Sequence, residues 1–297
     1  MQIKWLEDLV ALAQTRSFSR AAELRHVTHP AFGRRIRLLE QWAGAPLVER
    51  GGTPVVLTPA GHGLLAYAQQ AVQAMAQARD DLRGLSARHE AVITLVTGRT
   101  LARTIAADWL LRVKPQLAQA RVRVRTGSMV ETLQRLEQGE AQFMLTYHHP
   151  LIAVRLSPGQ YLQRTVARDR LVPVGRVNAQ GKPVFAFNTR SATPFLAYAD
   201  TLAMGRLVRD HLSNHAQAPL LREVIECDSA DALLEYALKG LGVAWLPWSL
   251  AVGECKARRL ATVGSKALEI GFEIRMVRPK RRLSPLAEEL WQSIDPA

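Results

Sequence analysis

The chain has 297 residues, with 39 Lys+Arg against 26 Asp+Glu, a formal net charge of +13, 48% hydrophobic and 22% charged residues. That length allows two or three domains with sizeable cores, and the composition is globular rather than disordered or fibrous. Two cysteines, Cys227 and Cys255, cannot build a disulfide framework, and the charge-free run Gly240–Gly253 falls short of the ~18 apolar residues that span a bilayer. The opening MQIKWLEDL carries acids where a secretion signal is apolar. The expectation is a cytoplasmic protein with no membrane partner, and the positive charge invites an anionic partner, nucleic acid first.

Ile3, Leu6, Leu9, Val10 and Ala13 recur at helical spacing and predict one buried face. Ser17–Phe18–Ser19 breaks the pattern, and Ser19 is placed to cap a short second helix through Ala21, Ala22 and Leu24. Thr28 is placed to cap a third, with Pro30 in its first turn, where a missing N–H costs little. In that helix Phe32, Ile36 and Leu39 form an apolar stripe, while His29, Gly33, Arg37 and the neighbouring Arg34 occupy another face. Two short helices with a basic outer face fit a DNA-reading helix-turn-helix, and equally a helical hairpin with a solvated basic face.

Residues 46–57 (PLVERGGTPVVL) predict two short strands about Gly51–Gly52, a β-wing. Thr58–Pro59 then opens a long, alanine-rich helix. Leu64, Ala68, Ala71, Met75, Ala78, Leu82 and Leu85 are spaced alternately four and three residues apart. Such a heptad seam serves dimerisation through a second helix, or packing on the helix's own domain.

From Val92 onward strand and helix patterns alternate. The strand candidates are Val92–Thr97, Arg121–Arg125, Gln142–Thr146, Leu171–Val174, Val184–Phe187, Val224–Cys227, Val243–Trp245 and Ile270–Val277. Helices fit Leu101–Val113, Met129–Glu137, Leu202–Leu212, Ala230–Leu238 and Pro285–Ser293. Alternation of this kind predicts a parallel α/β sheet, here in two subdomains. No GxGxxG, GxxxxGK[ST] or GxSxG is present, so no motif supports an enzyme or a cofactor. His148 and His149, adjacent on a strand, point to opposite sides and do not make a metal site.

Ser17 to Gly61, SFSRAAELRHVTHPAFGRRIRLLEQWAGAPLVERGGTPVVLTPAG, closely resembles the winged helix-turn-helix of LysR-type transcriptional regulators, including turn, wing and helix cap. The resemblance continues over the whole chain, with GLGVAWLP (240–247) similar to a motif late in that family's effector domain. IKWLEDL, MGRLVRD and GVAWLP look most like its hypochlorite-responsive branch. The resemblance implies an α/β protein with a winged helix-turn-helix DNA-binding domain (1–58), a linker and dimerisation helix (59–89) and a periplasmic-binding-protein-like effector domain (90–297). Within the last, subdomain I would span about 90–165 and 266–297, and subdomain II about 166–265. It implies a non-enzymatic regulator, a homodimer or homotetramer that binds double-stranded promoter DNA, communicates with RNA polymerase and answers a small-molecule effector or oxidant. DNA contacts are expected from Thr28, His29, Pro30, Gly33, Arg34 and Arg37, with Arg50 in the wing reaching phosphate or minor groove. Gly33 stands where the family mostly has serine, and His29 where it mostly has glutamine.

Ligands of two-subdomain α/β folds bind beyond the carboxyl ends of the strands, near helix N-termini. Gly98, Arg99 and Thr100, Thr146 and Tyr147, Ser128, and Ser229 meet that description, while Tyr198, Met204 and Arg206 belong to a cleft-lining loop by resemblance. These ten residues are the expected effector site, for a small anion or carboxylate. The alternative for the hydroxyl residues is helix capping alone. A cleft sulfur, Met204 or Cys227, offers oxidant sensing as an alternative input. Outside this class, the α/β half alone would fit a solute-binding protein or an enzyme, neither of which accounts for residues 1–61. Residues 1–88 carry 11 Lys+Arg and 7 Asp+Glu, so most of the positive charge lies beyond the DNA-reading segment.

Overall fold

A computed structural model describes residues 2–49, 51, 54–86, 91–117, 120–152, 156, 159–187 and 191–294. The chain forms two compact units, residues 1–90 and 91–297. Among the described residues no helix is long and apolar enough to cross a membrane.

The first unit comprises α1 (Ile3–Thr15), α2 (Phe18–Leu24), α3 (His29–Ala43) and α4 (Pro59–Ser86). Its core is built from Leu6, Leu9 and Leu12 of α1, Ala21 and Ala22 of α2, the Phe32/Ile36/Leu39 stripe of α3, and Ala68 of α4. Ile3, expected on the buried face of α1, is instead exposed, and the face centres on Leu9 and Leu12. The cap of α2 is Ser17 rather than Ser19: its backbone is extended and its Oγ accepts the N–H of Arg20 at 3.4 Å, so the helix begins at Phe18. Thr58 caps α4, its Oγ1 accepting the N–H of Gly61 at 3.0 Å. In place of the expected wing strands, the described residues show the antiparallel bridge of Val48 with Leu57, with Glu49 N–H bonded to Val56 O at 2.9 Å.

The second unit begins with β1 (Ala91–Thr97), α5 (Arg99–Arg103), α6 (Ile105–Arg112), β2 (Ala120–Thr126), α7 (Met129–Glu137), β3 (Phe143–His148) and β4 (Tyr161–Arg176). It continues with β5 (Thr193–Tyr198), α8 (Ala203–Asn214), β6 (Leu221–Cys227), α9 (Ala230–Leu238), β7 (Ala244–Pro247), α10 (Trp248–Lys256), β8 (Leu260–Thr262), β9 (Ile270–Pro279) and α11 (Pro285–Gln292). The main sheet has the order β2-β1-β3-β9-β4-β7, with β8 also on β4, and β5 and β6 form a parallel pair.

The expected parallel sheet is therefore mixed: β1, β2 and β3 are parallel, whereas β9 runs antiparallel to both β3 and β4. Strand β4 is the pivot of this arrangement. Its first part pairs with β9 from Tyr161 to Leu171, and its end pairs with β7 and β8. The segment Val184–Phe187 is not a strand. It follows a turn in which Asn178 Oδ1 accepts the N–H groups of Gln180 and Lys182 at 3.0 Å each, and Pro183 has no N–H to extend a ladder. The helix expected over Leu101–Val113 is broken at Thr104 (φ −107°, ψ −96°), which separates α5 from α6.

The GLGVAWLP segment has a physical explanation. Gly240 (φ +78°) ends α9 in a left-handed cap, with Leu241 N–H on Tyr236 O and Gly240 N–H on Ala237 O, a Schellman motif. A Cβ at Gly242 would lie 2.7 Å from Pro194 O, so glycine lets this segment approach β5. Trp245 is then fully buried, its Nε1 donating to Leu268 O at 2.9 Å.

Candidate nucleic-acid interface and effector cleft

On α3 the apolar stripe faces the core, which turns the remaining residues outward. Thr28, His29, Pro30, Arg34 and Arg37 are exposed and Gly33 is half-buried. Thr28 occupies the N-cap position with an extended backbone, but its side chain makes no capping bond. The first-turn amides of α3 are thus left for an outside acceptor. The His29 ring meets Phe18 edge-on at 6.1 Å, and Phe18 in turn meets Phe32 at 5.9 Å, tying the start of the exposed face to the core. Arg37 Nε lies 3.4 Å from Gly33 O. Arg50 lies outside the described residues.

Arg35, adjacent in sequence to Arg34, has a different task. It and Arg25 bond the fully buried carboxylate of Asp8, at 3.5 and 2.9 Å, linking α1, the turn after α2, and α3. Glu40 at the far end of α3 accepts the N–H groups of Leu47 and Val48, at 2.8 and 3.3 Å, and so fixes the start of the wing.

The α4 seam divides. Leu64, Ala68 and Ala71 pack against their own domain's core, Ala68 with no exposure at all. Met75 (59% exposed) and Ala78 face outward. The side chains of Leu82 and Leu85 lie outside the described residues.

In the second unit a cleft of about 430 Å³ brings together Gly98, Arg99, Thr100, Ser128, Thr146, Tyr147, Tyr198, Met204, Arg206 and Ser229. They converge because β1, β3, β5 and β6 all end at this cleft, and α5, α7, α8 and α9 begin there. Ser128 and Glu131 form a capping box: Ser128 Oγ accepts the Glu131 N–H at 3.2 Å and Glu131 Oε2 accepts the Ser128 N–H at 2.7 Å. The Glu131 carboxyl is held below its ordinary range by the Ser128 N–H first and the Ser128 side chain second. Ser229 Oγ accepts the Ala232 N–H at 3.3 Å. These two hydroxyls therefore act as helix caps in the cleft wall.

Asp231 and Met129 also line the cleft, and sequence patterns did not single them out. Asp231 accepts Thr100 Oγ1 and Arg103 Nη1, each at 2.9 Å, joining the first turn of α9 to α5. In sequence it looks like an acid complementing a helix dipole. Thr146 Oγ1, buried, has Met129 Sδ as its side-chain acceptor at 3.4 Å. Tyr198 is buried, and its hydroxyl has no hydrogen-bond partner among the described residues. Burial first, then nearby Tyr147 and Asp231, push its phenol well above the ordinary value, so it stays protonated. Tyr147 is raised in the same way, by burial above all. Cys227, half-buried, lies at the end of β6 beside this group but is not among the cleft-lining residues.

Residues 3–62 match the model of the bacterial regulatory helix-turn-helix of the lysR family, and residues 86–296 match the LysR substrate binding domain. The chain belongs to the LysR family of transcriptional regulators. It is 27% identical over 294 residues to the HTH-type transcriptional regulator YjiE of Escherichia coli (strain K12), covering 99% of this chain and 94% of that one. Among solved LysR-family structures it resembles Vibrio fischeri DarR, determined in complex with DNA, with 30% identity, a TM-score of 0.61, and 99% and 98% of the two chains covered. Full-length HypT of Salmonella typhimurium, described as a hypochlorite-specific LysR-type regulator, gives 27% identity and a TM-score of 0.59 over 98% and 96% of the chains. These LysR relatives are regulators, not enzymes, and this chain is a DNA-binding transcriptional regulator with an effector-binding domain.

Proposed function

We propose that this regulator binds double-stranded promoter DNA as a homo-oligomer in the cytoplasm and changes its action on RNA polymerase when a small anionic effector occupies its cleft. The division into 1–58 for DNA, 59–89 for dimerisation and 90–297 for the effector follows from that reading. The outward display of Thr28, His29, Pro30, Arg34 and Arg37 beside an uncapped helix N-terminus carries the DNA assignment. A helix so presented fits the major groove, its arginines neutralising phosphate and its first turn reading base edges. Gly33 then allows close approach of the backbone, and Arg50 supplies a wing contact. The exposed Met75 and Ala78 support pairing through the distal part of the α4 seam.

DNase footprinting of the protein's own upstream region tests this directly. Protection of a short interrupted palindrome is expected, and uniform protection of any duplex would overturn the assignment.

Oxidant sensing is a second reading, favoured by the thioethers of Met129 and Met204 in one cleft and by the similarity to HypT. Oxidation by hypochlorite would transfer its oxygen to the Met204 sulfur, forming the sulfoxide and releasing chloride. Cys227 is the alternative sulfur. Mass spectrometry after stoichiometric hypochlorite, with and without Met204→Leu, separates this input from reversible ligand binding.

A further inference from the structure

Strand β4 ends at Arg176 in a corner where three other chain segments meet it. Val177 N–H reaches Arg259 O at 3.2 Å, Val184 N–H reaches Arg176 O at 2.7 Å, and Arg176 Nη1 lies 3.5 Å from Lys239 O. The corner gathers Arg176, Lys182, Lys239, Lys256, Arg258 and Arg259, all exposed. Two acids stand nearby: Glu254, engaged by Arg259, and Glu235, one turn before Lys239 on α9. Lys182, Lys239, Lys256 and Arg258 have no ion-pair partner among the described residues. None of the six cations lines the effector cleft.

Two of them have an ordinary explanation. Lys239 and Lys256 sit at the C-terminal ends of α9 and α10, where positive charge complements the helix dipole. Lys182 and Arg258 do not. Lys182 is presented by a tight turn, closed by the Val177–Pro183 bridge and by Asn178 Oδ1, with Gly181 at φ +74°. Arg258 stands in the left-handed region at φ +56° and closes a Schellman motif on α10, with its own N–H on Cys255 O and the Arg259 N–H on Glu254 O. Glycine is the default there, and Gly240 holds the matching position on α9. An arginine kept where glycine folds more easily breaks a local rule, and such departures concentrate at functional positions.

We propose that this corner is a second, sequence-independent DNA surface, its cations meeting phosphates of the duplex that flanks the operator. Phosphate contacts of this kind add affinity and salt dependence without reading sequence. Duplex DNA is the polyanion this chain binds as a LysR regulator, and the covalent link between the two units raises its local concentration at the second. The surface also gives a task to positive charge that lies outside residues 1–88.

The test is titration of the full-length protein, over a series of salt concentrations, on a long promoter fragment and on a minimal operator duplex. Arg258→Gly should lower the salt slope on the long fragment by about one. Its melting temperature should be equal or higher, because glycine suits the left-handed cap. Lys182→Gln, Lys239→Gln and Arg258→Gly together should lower that slope by about three, with the minimal duplex unaffected and the preference for promoter over shuffled sequence unchanged. Lys182→Gln with Lys239→Gln carries the test alone if the glycine disturbs the cap. Lys114→Gln, which removes an exposed cation elsewhere on the unit, should leave the slope as it is and so separates the corner from net charge. An unchanged slope in the triple variant, the same loss in Lys114→Gln, or an equal loss on the minimal duplex overturns the proposal. Unaltered DNA binding with weaker capture of fluorescent poly-L-glutamate overturns it too, and assigns the corner to an acidic protein segment.

Discussion

Arg25 donates from Nε to the carboxylate of Asp8 at 2.9 Å, and Asp8 is fully buried beneath the helix-turn-helix. The same carboxylate meets Arg35 of α3, and Glu7, the residue before Asp8 in α1, also pairs with Arg25. One acid thus sets the angle between three helices. Asp8→Ala should destabilise the DNA-binding unit by about 2 kcal/mol, less than a fully buried pair would lose because both arginines keep contact with water. Thermal unfolding read in that unit checks the loss, and an unchanged melting temperature would show that the network does not hold the helices.

Gly33 lies in the interior of α3, yet beyond its chain neighbours and the surrounding helix backbone nothing lies within 4 Å of where its Cβ would stand. Gly33→Ala should therefore raise stability by up to ~1 kcal/mol through helix propensity. Its effect on DNA should have the opposite sign if the backbone approaches the duplex there. Chemical denaturation paired with promoter titration reads both, and a variant that is stabilised and binds DNA unchanged would remove Gly33 from the interface.

Met75 is largely exposed on α4, in contrast to Ala68 on the same seam. Met75→Asp with Leu82→Asp should give monomers in light scattering, with little change in the unfolding of the DNA-binding unit. Persisting dimers would place the main interface elsewhere.

Arg278, nearly buried at the end of β9, bonds Glu288 of α11, with Nη2 to Oε1 at 2.9 Å, and Glu288 also accepts the Leu283 N–H at 2.8 Å. Arg278 first, and then Leu283, hold the Glu288 carboxyl below its ordinary 4.5. A depressed carboxylate contributes stability that is fully present above 4.5 and is lost as pH falls through the folded value. Glu288→Gln should lower the melting temperature by a few degrees at neutral pH and flatten its fall below pH 4.5. Parallel acid-side slopes for the two proteins would count against this lock.

The Phe32/Ile36/Leu39 stripe was legible because i, i+4, i+7 spacing leaves a helix one way to bury itself. The cleft-lining hydroxyls were legible because caps and strand ends mark where an α/β fold places its openings. Other features depend on contacts that sequence spacing does not carry. Arg34 and Arg35 are indistinguishable in sequence, and only the buried Asp8 sorts one outward and the other inward. The first part of β4 carries Arg164, Arg168, Asp169 and Arg170, so it lacks the apolar run of a central strand, although it pairs with β9 from Tyr161 to Leu171 with one register shift at Thr165/Ala167. Pro194 hid β5, a strand entered at its second residue by a proline. The bond from Arg103 to Asp231 spans 128 residues of chain and has no local signature.

On the proposed function, the outward face of α3 reads promoter DNA. Its most direct test is a competition titration of a labelled fragment of the protein's own promoter, at fixed moderate salt, with unlabelled promoter or shuffled duplex as competitor. Promoter should compete at least about a hundredfold better than shuffled duplex. Arg34→Ala and Arg37→Ala should each weaken binding by about tenfold or more and lower the salt slope by about one, with the fold intact. Equal competition by the two duplexes, or wild-type affinity in both arginine variants, would contradict it.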